Sequence, residues 1–271
     1  MYIRSRRLTT TARVLAAVLS LSIVFALSGC TAVTNLLKPK DAYTLYTAAT
    51  QNLDKADGYS MRMTMDGTLS SGSESQPYST LIEAKVNKPY TAAMEMSMDM
   101  EMSVAGQDID TTSYYKNGVI YTDALGMKIK TKTDMDQLKG QLGTATFSKD
   151  AIIEQQRSQT DDGIELDFTV KGSALKSYVL DKSRTEDLQL PSGVQYDIDD
   201  VTIHAVIGKS GQLSSVKMDM PLTMTYAGQR IKAEMDVGID DIRYGQQDIT
   251  APDDLEDYQD SSNTGASPLQ L

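Results

Sequence analysis

The stretch from Met94 to Ser103, MEMSMDMEMS, limits the fold more than any other feature of the chain. Met94, Met96, Met98, Met100 and Met102 alternate with Glu95, Ser97, Asp99, Glu101 and Ser103. A helix repeats every 3.6 residues and would scatter these methionines around its circumference. A strand repeats every two and places all five on one face. The alternation predicts a half-buried β-strand despite methionine's helix propensity. Met61, Met63 and Met65 alternate in the same way with Arg62, Thr64 and Asp66.

Other segments extend the pattern. Tyr114 to Tyr121 carries Asn117-Gly118 between two β-prone runs, and these two residues tolerate the positive φ angles of a type I′ hairpin turn. Met127 to Lys132, Gly163 to Val170, Val201 to Ile207, Leu213 to Met224 and Arg230 to Asp240 also read as strands. Residues 96–109 (MSMDMEMSVAGQDI) align without a gap on 218–231 (MDMPLTMTYAGQRI). Each is expected to be a hairpin turning at Ala105-Gly106 or Ala227-Gly228. The two arise either by duplication, giving related halves of one sheet, or by convergence of simple alternating sequence. Helices are expected in four places. Asp41 to Lys55 puts Ala42, Tyr46, Ala49 and Leu53 on one face, with Gly58 as the stop. Thr133 with Asp136 resembles a capping box, Ser148 is placed to cap Lys149 to Arg157, and Ser173 to cap a helix running to about Asp187.

The N-terminus carries Arg4, Arg6, Arg7 and Arg13 and no acidic residue, followed by the apolar run Val14 to Leu27. A basic start and a run this short describe an export signal rather than a membrane span. Leu27-Ser28-Gly29-Cys30 resembles the lipobox of bacterial lipoproteins, which implies acylation of Cys30 and a mature chain beginning there. Cys30 is the only cysteine, so the folded part has no disulfide, thiolate metal site or thiol nucleophile. The expected organisation is a signal over 1–29, a lipidated tether over 30–40, one domain over 41–258 and a disordered acidic tail over 259–271. The expected location is the extracytoplasmic face of the membrane, held by the lipid.

Of 26 basic and 37 acidic residues, four arginines lie in the signal, so the mature chain has a net charge of −15. Such a surface repels nucleic acid and anionic headgroups, which excludes DNA and RNA as partners and leaves the Cys30 lipid as the anchor.

Catalytic patterns are weak. His204 is the only histidine, and in Val201-Thr202-Ile203-His204-Ala205 it shares the solvent-side face with Thr202. Ser173 with Lys176 matches Ser-x-x-Lys, but the companion motifs of penicillin-recognising enzymes are missing. Asp199-Asp200, Asp240-Asp241 and Asp253-Asp254 lack the Asp-x-Asp-x-Asp-Gly arrangement of a calcium loop. The expectation is a non-enzyme with no cofactor and no metal.

Twelve of the 15 methionines fall at 61–65, 94–102 and 218–235, all in predicted strands. Methionine is unbranched and polarizable, so it fills irregular core gaps and also suits surfaces that bind apolar partners of variable shape. The run in Met94 to Met102 extends along about 27 Å of strand, enough to line a groove for an acyl chain. Three uses stand open: core packing under helices, an apolar ligand surface, and soft-metal binding, the last disfavoured by the single histidine. The ligand reading nominates Met96, Met98, Met100, Met218, Met220 and Met224. A void of a few hundred cubic ångströms lined by these strands would favour it.

A lipobox, a tether, a first helix, a Met-alternating meander, inserted helices and a second meander together resemble the LolA/LppX type of lipoprotein carrier. The segments YYKNGVIYTDALGMKIK, VKMDMPLTMTYAGQRIKAEMDV and APDDLEDY are similar to a group of uncharacterised Gram-positive lipoproteins. The resemblance implies an α+β fold, a strongly curved antiparallel sheet closing incompletely around three or four helices, and lipid as the ligand. The alternative function is a non-enzymatic interaction or structural protein of the cell envelope, with the methionines as core and a protein partner on the acidic face.

Overall fold

The computed structural model describes residues 41–133, 147–175, 195–226 and 228–261. The chain begins with helix α1 (Ala42–Asp54), as its apolar spacing predicts. Asp41 caps it, its side chain accepting a 2.8 Å hydrogen bond from the Thr44 amide. The buried stripe is Ala42, Tyr46, Ala49, Thr50 and Leu53.

Strands β1 (Gly58–Ser71), β2 (Glu74–Asn87), β3 (Glu95–Val104), β4 (Gln107–Lys116), β5 (Val119–Ala124) and β6 (Met127–Lys132) form an antiparallel meander. Three of its turns hold two residues of positive φ: Ala105-Gly106 (52° and 78°), Asn117-Gly118 (52° and 78°) and Leu125-Gly126 (53° and 78°). These are the type I′ angles that match the twist of the flanking strands. The second set is β7 (Ile152–Gln159), β8 (Gly163–Val170), β9 (Gln195–Ile198), β10 (Val201–Gly208), β11 (Leu213–Tyr226) and β12 (Gln229–Tyr244). β13 (Gln259–Asp260) adds parallel to β6.

All thirteen strands belong to one sheet, in the order β13-β6-β5-β4-β3-β2-β1-β12-β11-β10-β8-β7, with β9 paired to β11. The two sets meet where β1 pairs with β12, and the order ends at β7 and β13 without closing. Twisted sheets of this width curl, which gives the large, curved, unclosed antiparallel sheet of the structure. Both aligned segments are hairpins in equivalent register: Val104 pairs with Gln107 and Tyr226 with Gln229.

The register gathers the apolar side chains on one face from β3 to β8. A single row runs Met102, Thr80, Met65, Val237, Met218, Ile203, Phe168 across β3, β2, β1, β12, β11, β10 and β8. Helix α1 packs on this face over β7, β8, β10 and β11. There Tyr46 meets Phe168 edge-on at 5.6 Å and stacks on Phe147 at 5.7 Å. On the opposite face Tyr258 packs edge-on against Tyr121 at 5.4 Å, and Lys128 pairs with Asp254, so the C-terminal segment is held on the β5–β6 end.

Three expectations need correction. The helix predicted from Lys149 to Arg157 is a short 3₁₀ turn, Lys149–Ala151, followed by strand β7. Its sequence, IIEQQRSQ, is polar along its length because β7 is an edge, and pairing with β8 overrides its helix-compatible composition. Ser173 is not the cap of its helix. Lys171 stands there, its carbonyl accepting from the amides of Ala174 and Leu175. Instead of three or four helices, the described residues contain α1 and the opening turn of another at 172–175. The capping box at Thr133 and Asp136 lies at the edge of the described residues, with Asp136 outside them. Gln259 and Asp260, placed in the tail by the sequence, pair with β6, and residues 262–271 lie outside the described residues. The signal, Cys30 and the tether also lie outside the described residues.

Candidate functional site

The six nominated methionines share the apolar face but form two groups. Met96, Met98 and Met100 sit on β3, and Met218, Met220 and Met224 on β11, with β2, β1 and β12 between. Four strand spacings put the groups about 19 Å apart. Met218, Met220 and Met224 are 4%, 3% and 2% exposed, in the half of the sheet on which α1 packs. Those side chains are core.

On β3 the methionines change environment along the strand. Met94 and Met96 are buried, whereas Met98, Met100 and Met102 are half-buried. At the buried end lies an apolar cavity of about 40 Å³. Its walls are Met61 and Met63 of β1, Ile82, Ala84 and Val86 of β2, Met96 and Met98 of β3 and Met94 just before that strand, with Tyr59 at one side. Pro89 and Tyr90, from the β2–β3 connection, complete it. Lys88 and Tyr90 both take left-handed backbone angles there, φ 47° and 59°, costly conformations for residues with side chains. The volume is far below the roughly 300–1,000 Å³ of established ligand pockets.

Charged groups stand near but not in this region. Burial pushes the Tyr59 phenol well above its ordinary pKa, so it remains neutral. Asp54, at the C-terminal end of α1, is pushed up to about 6 by burial. Two buried hydroxyls on β2, Tyr78 Oη and Thr80 Oγ1, have no hydrogen-bond partner among the described residues although each residue is only 3% exposed. Neither was nominated from the sequence. Their signal was a polar side chain at a core-facing position of an alternating strand, visible once Ile82, Ala84 and Val86 are read as one face.

His204 lies on the solvent face, its Nδ1 2.7 Å from Asp167 Oδ1 on β8, with its side chain 40% exposed. Ser173 is exposed, and Lys176 lies outside the described residues. Asp199, Asp200, Asp240 and Asp241 are exposed, and among the described residues no three His, Cys, Asp or Glu side chains converge as metal ligands. No described helix is long and apolar enough to cross a membrane.

No protein-family model matches the sequence, and no curated protein matches it at a significant level. Among solved structures the chain is similar to LprF from Mycobacterium bovis, at 11% identity over 78% of this chain and 96% of that one, with a TM-score of 0.37. It is also similar to a DUF1329 family protein from Desulfovibrio piger (9% identity, 78% and 94% covered, TM-score 0.25). A third is the ywiB protein from Bacillus subtilis (9% identity, 70% and 96% covered, TM-score 0.21). Likeness at this level assigns neither a family nor a ligand; the architecture rests on strand order and register.

Proposed function

We propose that this chain is a non-enzymatic extracytoplasmic lipoprotein, anchored through an acylated Cys30, that holds a single apolar chain of a lipid along the thioether row of β3. The observation that carries this reading is the graded exposure of that row. Buried Met94 and Met96 wall a cavity, and half-buried Met98, Met100 and Met102 continue from it toward solvent on the same face. Flexible thioethers can part to admit a chain and close when it leaves, which suits a small resting cavity. The ligand-contacting set narrows to Met94, Met96, Met98, Met100 and Met102, and Met218, Met220 and Met224 belong to the core of the other half of the sheet. Native mass spectrometry of the full-length protein purified from its host is expected to show a bound lipid mass, and a homogeneous apo mass overturns the reading. The anchor is tested separately: Cys30→Ser is expected to release the protein from membranes and to abolish incorporation of labelled palmitate.

The cavity's small volume favours a second reading, an envelope interaction or structural protein whose methionines are only core. In-cell cross-linking that captures a protein partner on the acidic face, together with an apo mass, would establish it.

A further inference from the structure

The apolar face contains two polar atoms that the fold leaves unsatisfied. Tyr78 and Thr80 lie two residues apart on β2, pointing to the same face, about 6.7 Å apart along the strand. Thr80 stands between Met65 and Met102 in the cross-strand row, and Tyr78 between Gly67 and Val104. Gly67 has no side chain, and the Tyr78 ring occupies that gap: a Cβ there would lie 2.7 Å from Tyr78 Oη. Neither hydroxyl has a partner among the described residues, although a buried hydroxyl without one is costly and native structures contain few. A sheet selected only for packing would carry Phe and Val at these positions, which keep the shape and discard the unmet groups.

Their placement relative to the cavity gives the two hydroxyls a common use. Thr80 directly follows Ile82 on the apolar face, and Ile82 is part of the cavity wall. From Thr80 to Val86, at the far wall, the strand covers about 20 Å. The barrier over Thr80 on the β3 side is Met102, half-buried and adaptable. We infer that Tyr78 and Thr80 form a hydrogen-bonding anchor for the carbonyl of an acyl chain whose tail runs along β3 into the Met94–Met96 cavity. This rests on the ligand reading proposed above and adds the head-group chemistry. The acceptor is a neutral ester or amide carbonyl rather than a free carboxylate. Burial first, and then the charges of Asp236 and Asp66, raise the Tyr78 phenol's pKa; these two carboxylates pair across β1 and β12 on the opposite face beside Gly67, and their field disfavours an anionic head.

The test uses the full chain in its apo form and a solvatochromic apolar dye displaced by hexadecane, methyl palmitate or palmitate. Methyl palmitate is expected to bind about tenfold tighter than hexadecane, the ratio that one or two net hydrogen bonds supply. Palmitate is expected to fall below the ester and to recover ground as salt screens the two carboxylates. In the Tyr78→Phe/Thr80→Val variant the ester preference should vanish while hexadecane affinity is unchanged. Thermal melts establish that the variant is folded, and Thr80→Val alone provides a milder second variant. Equal affinity of the wild type for ester and hydrocarbon, or an ester preference that survives both substitutions, overturns the anchor while leaving the apolar site intact. If none of the three displaces the dye, the ligand reading itself fails and the anchor with it.

Discussion

Replacing Gly67 by alanine probes the contact on which the central strands depend. Gly67 opposes Met235 on β12 and Tyr78 on β2, at the junction of the two sets of strands. An added Cβ would lie 2.1 Å from the carbonyl oxygen of Glu234 and 2.7 Å from Tyr78 Oη. Gly67 is not among the positive-φ glycines, so alanine meets no backbone penalty there and the cost is steric. Even a 3.0 Å approach requires β1 and β12 to part by about 0.9 Å, since the obstructing atom is backbone and cannot rotate away. Overpacking by one methyl in a tight core costs about 1–3 kcal/mol, and a backbone obstruction belongs at the upper end. Against this, alanine restricts the unfolded chain and contributes about 0.4–1 kcal/mol of stability. The net expectation is a loss of about 2 kcal/mol, or a Tm lower by about 4–8 °C for a domain of this size. Urea unfolding followed by circular dichroism measures it. Adding Tyr78→Leu removes the phenol contact but not the carbonyl, so most of the loss should remain. An alanine variant that is more stable than wild type by about 0.4–1 kcal/mol, the signature of an unobstructed site, would refute the register of β1 on β12.

Thr80→Val removes an unpartnered buried hydroxyl at constant shape and is expected to stabilise the apo protein by about 1 kcal/mol in chemical denaturation; a loss would mean that the hydroxyl has a partner. Burial pushes the Asp54 carboxyl up to about 6 from its ordinary 3.8, so between these pH values the folded state binds more protons and stability falls as pH rises. The carboxylates of Asp41, Glu95 and Asp254 are shifted downward by hydrogen bonds to Lys149, Tyr114 and Lys128 respectively, so their contributions are lost as pH falls below the ordinary carboxylate range. Asp54→Asn isolates the first effect: its Tm advantage over wild type should be absent below pH 4 and complete above about pH 6, and a pH-independent difference would contradict the burial of Asp54. Dilute peroxide followed by peptide mass spectrometry should oxidise Met127, 45% exposed, and then Met98, Met100 and Met102, well before Met65, Met218, Met220, Met224 and Met235. Equal rates would contradict the division of the apolar face into core and groove.

Period-two alternation made β1, β3, β11 and β12 legible residue by residue, because side chains of a strand alternate between faces regardless of what the strand pairs with. Asn117-Gly118 was legible for a similar reason, since its backbone preference is local and the turn it favours is one type. The helix over Ala42–Asp54 was readable from its apolar spacing. β7 was not, because an edge strand exposed over Glu154–Arg157 carries no alternation, and only its partner β8 makes it a strand. β2 went unassigned although Tyr78, Thr80, Ile82, Ala84 and Val86 alternate, since threonine and alanine dilute the hydrophobic signal.

The sequence by itself therefore determined that the methionines lie on faces of strands, that the two aligned segments form hairpins, and that the chain is acidic, with 37 acidic residues against 26 basic ones. All three follow from covalent order and local geometry. Only the tertiary structure decided that β1 pairs with β12, which places three strands between the two methionine groups, turns Met218, Met220 and Met224 into core, and leaves the β3 row leading outward from a small cavity. Strand neighbours far apart in the chain depend on which faces bury together across the whole sheet, and no local pattern encodes that. The same long-range pairing sets Tyr78 over Gly67 and Thr80 between two methionines, which leaves their hydroxyls without partners.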